Sequence, residues 1–187
     1  MRNKSYVPAA VAMGLCVFLT SFFVTGTTIY ADEAAVADLA GLDKASQHVS
    51  RADQLMKAGG AENFKLAIPI YEEVLGSDPA HFEASWKGAR ACRHYAENAK
   101  KQELAEWEDI CAEYGKKGMH LARQAMDLKP DKPHGYYYYG LCVGSYSDGV
   151  GLFTALREGL KNKTQKNLER AYEIDKHFAG GGPILAL

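Results

Sequence analysis

The 187-residue sequence offers few side-chain arrangements that could carry out catalysis. It has no HExxH zinc motif, no phosphate-binding GxxxxGK[ST] loop and no GxSxG nucleophile motif. Among its six histidines, the nearest to a metal-ligand spacing is His94 beside Cys92, a pair that is more typical of packing and surface positions. We therefore expect a non-enzymatic protein with no metal and no cofactor.

Rings and guanidinium groups are instead concentrated in two stretches. HFEASWKGARACR contains Trp86, Arg90 and Arg93, and PHGYYYYGLCVG contains four consecutive tyrosines, Tyr136–Tyr139. A guanidinium can hold a carboxylate with two hydrogen bonds, and aromatic rings provide rigid apolar area with a polar tip. These residue types favour a recognition surface. The alternative is that Trp86 is core and that the arginines pair with Glu83 or another surface acid.

The spacing of packing residues predicts the helices that position these side chains. A tetratricopeptide unit pairs a helix A, with a large–large–small pattern, and a helix B, with small and aromatic residues followed by a terminating proline. The helix B spacing occurs first at Ala67, Tyr71, Val74 and Pro79. It recurs at Gly118, Ala122, Ala125 and Pro130, and again at Thr164, Leu168 and Ala171, with Lys176 in the position of the proline.

A helix A candidate accompanies each helix B. Leu39–Lys57 precedes the first and ends at Gly59–Gly60, Ala89 is the close-packing residue of the second, and Tyr136, Tyr139 and Gly140 give the pattern of the third. We therefore predict an all-α fold over residues 32–187, an α-solenoid of degenerate tetratricopeptide-type antiparallel helix pairs. HFAGGGPILAL would open a further helix A with nothing to cover it, so we expect a domain truncated at its C-terminus.

Long inserts separate the repeats, because their endings lie 51 and 46 residues apart (Pro79, Pro130, Lys176) rather than about 34. We expect Gln102–Tyr114 to be a long amphipathic helical extension, with a helix break at Gly115–Gly118. The second insert, Ser145–Lys163, is expected to begin flexibly and continue as an apolar helix. Two interpretations of that helix stay open: closure of the core, and docking of a partner. Its apolar residues are Leu152, Phe153, Leu156 and Leu160.

The helix A template also predicts which residues line the concave face of the array. After Pro79 it selects Glu83, Trp86 and Arg90, with Arg93 one turn further, and after Pro130 it selects His134, Tyr137 and Leu141. Four consecutive helical positions sweep about 300° around the axis. At least one ring of the tyrosine run must therefore face a groove, a neighbouring chain or water.

The N-terminus has the pattern of an export signal. Arg2 and Lys4 precede an uncharged apolar run at residues 9–24, and Ala31 precedes a polar start. We expect residues 1–31 to be a signal peptide and the protein to be exported to a periplasm; retention as an inner-membrane anchor through residues 9–24 is the alternative. Removing this segment removes two of the 22 basic residues and none of the 23 acidic ones, which leaves a net charge of −3 and argues against nucleic acid.

Three cysteines follow the signal: Cys92, Cys111 and Cys142. An odd number in an oxidising compartment leaves at least one thiol unpaired. Cys92 and Cys111 lie at similar distances from the turn expected near residues 98–101, so antiparallel helices could bring them together. The simpler interpretation, that all three are buried packing residues, is preferred.

Several features in this order resemble the TatT component family of TRAP transporters. They are the DP-type helix ending, KGARACRHYAENA, the long insert, HGYYYYGLCVGSY and YEIDKHFAGGGPILAL, within Ala61–Leu187. The resemblance implies a tetratricopeptide-like periplasmic protein that partners a substrate-binding subunit, takes a small organic anion or apolar ligand, and can form a homo-oligomer. Eukaryotic regulators of microtubule dynamics have a similar helical pattern, and the bacterial-style signal favours the transporter family over them. The alternative function is a general envelope scaffold for protein–protein interaction.

Overall fold

The computed structural model describes residues 33–185, with side chains for residues 44–183. Every regular element within this range is helical, which confirms the predicted all-α, repeat-like fold. The elements are α1 (Glu33–Ala58), α2 (Ala61–Ser77), α3 (Phe82–Lys101), α4 (Trp107–Leu128), α5 (Pro133–Arg157), α6 (Leu160–Ile174), a 3₁₀ turn (Phe178–Gly180) and α7 (Gly182–Leu185). The signal and its apolar run at residues 9–24 lie outside the described residues. Across residues 33–185 no helix combines the length and apolar character needed to cross a membrane.

Three helical hairpins stack in chain order. Each of α1 to α5 packs on the helix that follows it, and α3 also packs on α5. The contact between α3 and α5 means that the first helices of successive hairpins lie side by side. This is the arrangement that gives a helical-repeat protein a continuous inner face.

The residues used to define the repeats lie where helices cross. Most of them are fully or almost fully buried: Ala67, Tyr71, Ala89, Ala122, Ala125, Tyr139, Gly140, Leu168 and Ala171. Pro79 and Pro130 are exposed just after the ends of α2 and α4, and Tyr136 is half-buried. A Cβ at Gly140 would lie 2.9 Å from Leu168 Cγ, so only a glycine lets α5 approach α6 this closely.

The predicted helix break at Gly115–Gly118 is wrong, because α4 runs without interruption from Trp107 to Leu128. Both glycines are buried against α5. A Cβ at Gly115 would collide with the backbone of Tyr146, and one at Gly118 would collide with Cys142 Sγ. Glycine costs roughly 1 kcal/mol in a helix interior, and here the close packing of two long helices outweighs that cost.

The first insert is only partly the helical extension that was expected. Residues 102–106 form a turn between α3 and α4, in which Glu103 and Glu106 have positive φ angles of 49° and 60°. The remainder, from Trp107, is the first part of α4, with Cys111 buried and Ile110 packed against the core. The extra residues therefore lengthen both helices of the second hairpin.

The second insert differs from expectation as well. Its first part is not a flexible start, since α5 continues helically until Gly151, whose φ of 76° and ψ of 164° interrupt it. Leu160 is buried and does close the core, at the first residue of α6. Core closure fails for the other three apolar residues, Leu152, Phe153 and Leu156, which are exposed.

The three described cysteines are buried and unpaired, as the packing interpretation predicts. The Cys142 thiol donates to the carbonyl oxygen of Ala89 at 3.5 Å, and the Cys111 thiol donates to that of Ala96 at 3.4 Å. Burial raises the pKa of Cys142 to about 12, so this thiol is protonated and unreactive at neutral pH.

Candidate binding groove

The contact between α3 and α5 creates a row of rings, which we call the α3–α5 face. It comprises Phe82 and Trp86 on α3, His134, Tyr137 and Tyr138 on α5, and Phe178 in the 3₁₀ turn. Ring centroids of Trp86 and His134 lie 4.7 Å apart, and Trp86 stacks on Tyr138 at 5.8 Å with an interplanar angle of 13°. Each ring therefore touches at least one other, so the row is held rigidly before anything binds.

Arg90 lies on this face with part of its hydrogen-bonding capacity unused. Its guanidinium carbon is 5.2 Å from the Trp86 ring centroid, a cation–π contact. One terminal nitrogen is 3.5 Å from Asp53 Oδ1, which is longer than the roughly 2.7–2.9 Å of a strong charge-assisted bond. The Nε of Arg90 is buried and has no hydrogen-bond partner.

Arg93 repeats this situation about one turn further along α3. Its Nη1 is 3.3 Å from Ser145 Oγ and 3.5 Å from a carboxylate oxygen of Glu97, and its buried Nε has no partner. A cavity of about 340 Å³ opens beside it, with Lys100 and Asp148 among its lining residues. The predicted alternative of pairing with Glu83 or another surface acid is met in its second part, because Arg90 approaches Asp53 and Arg93 approaches Glu97 rather than Glu83.

The acids near Arg90 are already occupied. Asp53 accepts a hydrogen bond from the Tyr71 hydroxyl at 2.7 Å and one from Lys87 at 2.7 Å. Lys87 also donates to Glu83 at 2.8 Å, and this hydrogen bond is the main cause that lowers the pKa of Glu83. Arg90 is therefore the weakest-held partner of Asp53, and the one most available to an incoming acceptor.

His134 lies at the centre of the aromatic row. It contacts Phe82, Trp86 and Phe178, with centroid separations of 5.7, 4.7 and 4.7 Å. Burial, followed by the charge of Lys132, lowers its pKa, which favours the neutral imidazole. Its Nδ1 is buried without a partner.

A second cavity, of about 480 Å³, continues the face toward α1 and α2. Arg90 and Lys87 line it together with Asp53, Phe64 and His94. The His94 ring stacks on Phe64 with centroids 5.2 Å apart, and burial lowers its pKa. The α3–α5 face thus has an open recess at each of its arginines.

The residues selected from sequence are largely brought together. Glu83, Trp86, Arg90 and Arg93 follow one another along α3, and His134 and Tyr137 face them from α5. Leu141 is half-buried one turn beyond Tyr137, outside the ring contacts. Sequence reasoning missed Phe82, Tyr138, Phe178 and Asp53. Applying the helix A template to α1 would have drawn attention to Asp53, whereas the same template selects Tyr137 and leaves Tyr138 out.

Among the side chains of residues 44–183, no group of three or more His, Cys, Asp or Glu residues is placed to hold a metal ion. The chemistry available on the α3–α5 face is hydrogen bonding by guanidinium and imidazole groups, together with stacking by rings.

A comparison with models of known protein families identifies the family of this chain. The model described as RMD1-3, Regulator of microtubule dynamics protein 1-3, matches residues 48–179, well over half of the chain. This chain belongs to the RMD1-3 family. No curated protein matches the sequence.

The RMD1-3 match overturns the resemblance to the TatT component of TRAP transporters, and with it the interpretation of the chain as a component of TRAP transport. The two families share a similar helical pattern, and the preference between them came from the apolar N-terminus. That segment lies outside the matched residues, so it carried no information about the helical domain. Every residue of the α3–α5 face lies inside the matched range.

Proposed function

We propose that this RMD1-3 family chain is a non-enzymatic binding scaffold whose α3–α5 face takes an acidic peptide segment of a partner protein. One observation carries the proposal. In the part of the chain that the structure describes, three buried side-chain polar atoms lack a hydrogen-bond partner: Arg90 Nε, Arg93 Nε and His134 Nδ1. All three belong to this one face.

Unpaired buried polar groups are rare in folded proteins, and each costs roughly 1–3 kcal/mol. Three on a single face favour a surface that is completed by a ligand. A carboxylate satisfies a guanidinium through two parallel hydrogen bonds, one of them from Nε. Arg90 and Arg93 are three residues apart on one helix, so successive acidic side chains of one peptide can reach both.

The shape of the face favours a peptide over a small molecule. The rings already touch one another, so they present edges and faces along a row rather than enclosing a single cavity. The two recesses, of about 480 and 340 Å³, lie at Arg90 and at Arg93. An extended chain can place a side chain in each recess while it crosses the rings.

The family description names the process of microtubule dynamics. A protein without catalytic groups would regulate such a process by binding another protein. We therefore propose that the partner is a protein that acts in microtubule regulation and presents an acidic segment.

The test is fluorescence anisotropy with labelled 15-residue peptides, one set rich in Asp and Glu and a matched set with Lys in the same positions. The full chain is expected to bind members of the acidic set only, and the double variant Arg90→Ala/Arg93→Ala is expected to lose that binding. Arg51→Ala is the control, because Arg51 is an exposed arginine of α1 that borders Leu66 and Ile70 of α2.

Three outcomes would contradict the proposal. Equal binding of acidic and basic peptides would mean that the arginines do not select the ligand. Undiminished binding by the double variant would place the site elsewhere on the chain. Inhibition by a small dicarboxylic acid at concentrations far below those of the peptide would favour a small-molecule site instead.

A further inference from the structure

The last part of α5, after the interruption at Gly151, carries the most exposed large apolar side chains of the described residues. Leu152 is 71 % exposed, Phe153 90 % and Leu156 69 %. They occupy positions i, i+1 and i+4 of one short helical segment, residues 152–157, which we call the α5–α6 tip. Clustered exposure of this kind marks an interaction surface more often than chance placement does.

Two glycines set the direction of the backbone at the ends of the tip, while Ala155 within it packs against the core. Gly151 and Gly159 flank it, and both have positive φ angles, 76° and 62°. Neither glycine would meet a neighbouring atom within 4 Å if it carried a Cβ, so both are needed for their conformation and not for close packing. Leu160 is buried immediately afterwards, which fixes the end of the tip on the domain.

Exposed basic residues end the tip and continue into α6. None of the four forms an ion pair within the described chain: Arg157 at the end of the tip, and Lys161, Lys163 and Lys166 in the first two turns of α6. The nearby Glu158 is half-buried and accepts a hydrogen bond from the Tyr146 hydroxyl at 3.5 Å. By contrast, Lys87, Lys100 and Lys117 all pair with carboxylates.

A cleft of about 730 Å³ opens between the tip and α6. Leu152, Leu156 and Leu160 line its apolar part. Its charged lining residues are Lys161, Asp148 and Glu169. A cation beside exposed leucines is the combination found where protein side chains enter the boundary between lipid headgroups and acyl chains.

We propose that the α5–α6 tip docks on an anionic lipid bilayer, with Phe153, Leu152 and Leu156 inserted and the four cations at the headgroups. A second copy of the chain is a poorer occupant. The three side chains expose together roughly 400 Å², about half of the roughly 800 Å² that each partner buries in a standard interface. A bilayer needs no such area, because anionic headgroups attract each basic residue in addition to the apolar insertion.

The test is sedimentation of the full chain with vesicles of phosphatidylcholine alone or with 30 % phosphatidylserine. Phe153→Ala is expected to lower the partition coefficient on the anionic vesicles at least tenfold. Each of Lys161→Ala, Lys163→Ala and Lys166→Ala is expected to lower it about fivefold. Leu66→Ala is the matched control, because Leu66 is 55 % exposed on α2, far along the chain from the tip. Residues 9–24 are common to every variant, so a difference between a variant and wild type arises from the substituted position.

A second measurement locates the insertion. Phe153→Trp is expected to show tryptophan emission that brominated phosphatidylserine vesicles quench, beyond the quenching of the native Trp86 and Trp107 in the wild type. Partitioning that is unchanged by Phe153→Ala and equal to that of Leu66→Ala would overturn the proposal. So would equal binding to neutral and anionic vesicles, or a dimer that Phe153→Ala dissociates in the absence of lipid.

Discussion

The surface of α5 that faces α4 and the surface that faces α3 differ in how they pack. Toward α4, glycines bring the helix backbones together until no space is left. Toward α3, at the row of rings, large side chains pack between the helices, and the buried Nδ1 of His134 and Nε of Arg90 have no hydrogen-bond partner.

This difference indicates that the α4 side of α5 is structural and that its α3 side is available for binding. A surface whose polar groups are all satisfied internally gains nothing from a ligand. A surface with preorganised but unsatisfied donors is less than optimal for stability, and natural proteins tolerate that where function requires it. Substitutions on the α4 side should therefore affect folding, and substitutions on the α3 side should affect binding.

The largest expected effect is that of Gly149→Ala, on the α4 side. A Cβ at this position would collide with the backbone of Ala112 and Glu108 in α4, which cannot move as a flexible side chain can. We expect a loss of about 3 kcal/mol in the free energy of unfolding, measured by urea denaturation.

Gly144→Ala is the matched control for that substitution, on the same helix. Nothing lies within 4 Å of a Cβ there, so alanine should stabilise the protein by roughly 0.5–1 kcal/mol through its higher helix propensity. Equal effects of the two substitutions would show that α4 and α5 do not pack as closely as described.

Substitutions on the α3 side should lower the affinity for the acidic peptide and change the free energy of unfolding little. Arg90→Ala or Arg93→Ala is expected to weaken binding of the acidic peptide by roughly 1.5–3 kcal/mol, the contribution of a charge-assisted hydrogen bond. Each should change the free energy of unfolding by less than about 1 kcal/mol, since their ion pairs are long and partly solvated. Arg→Lys should recover only part of the affinity, because an ammonium lacks the bidentate geometry.

Unchanged affinity in both single variants and in the double variant would remove the arginines from the site. A large loss of stability in Arg90→Ala would instead mean that the guanidinium is structural, and would break the contrast between the two sides of α5.

The helix pairs could be predicted from sequence because their signals are local. Ala67, Tyr71 and Pro79 give the end of α2 through spacing alone, and Gly140 with Leu168 gives the crossing of α5 and α6. The helix break predicted at Gly115 and Gly118 was wrong, because a glycine pair considered in isolation favours a break. Their actual role depends on Tyr146 and Cys142, which are about 25–30 residues away in sequence and carry no local signal.

The candidate site could be predicted from sequence to about the same extent as the helix pairs. The repeat template selects Trp86, Arg90 and Tyr137 because helix A positions recur, but it cannot show that Asp53 is already occupied by Tyr71 and Lys87. That occupancy leaves Arg90 weakly held, and it depends on three helices at once. The family could not be resolved either, since short motifs in a shared helical pattern fit more than one family.

A smaller change in the free energy of unfolding is expected for Tyr71→Phe, a substitution where the core meets the α3–α5 face. Tyr71 is fully buried, and its hydroxyl donates to Asp53 at 2.7 Å. Tyr71→Phe should lower the free energy of unfolding by roughly 1.5 kcal/mol, the contribution of a hydrogen bond to a charged group. Tyr172→Phe, at a half-buried position on α6, is the control and should change it by less than about 0.5 kcal/mol. Equal losses of unfolding free energy in the two variants would mean that the hydrogen bond from the Tyr71 hydroxyl to Asp53 does not stabilise the fold.

The smallest expected effect is a dependence of stability on pH through His134. Burial and Lys132 lower its pKa, while Glu83 and Asp175 oppose that shift. The unfolded chain, with a histidine pKa near 6.5, therefore binds a proton before the folded chain does. The stability contributed by the neutral ring is full above about pH 6.5 and is lost as the pH falls from there toward the lowered pKa of the folded state.

His134→Phe keeps a ring in the aromatic row and removes both the titration and the unpaired Nδ1. Urea denaturation at pH 7.5, 6.5 and 5.5 should show a shallower decline for this variant than for wild type, with the part due to His94 remaining. His120→Phe, at an exposed position of α4, controls for the loss of a surface histidine. An identical decline in His134→Phe and wild type would mean that His134 is solvated, and hence that water already satisfies the imidazole for which a ligand has been proposed.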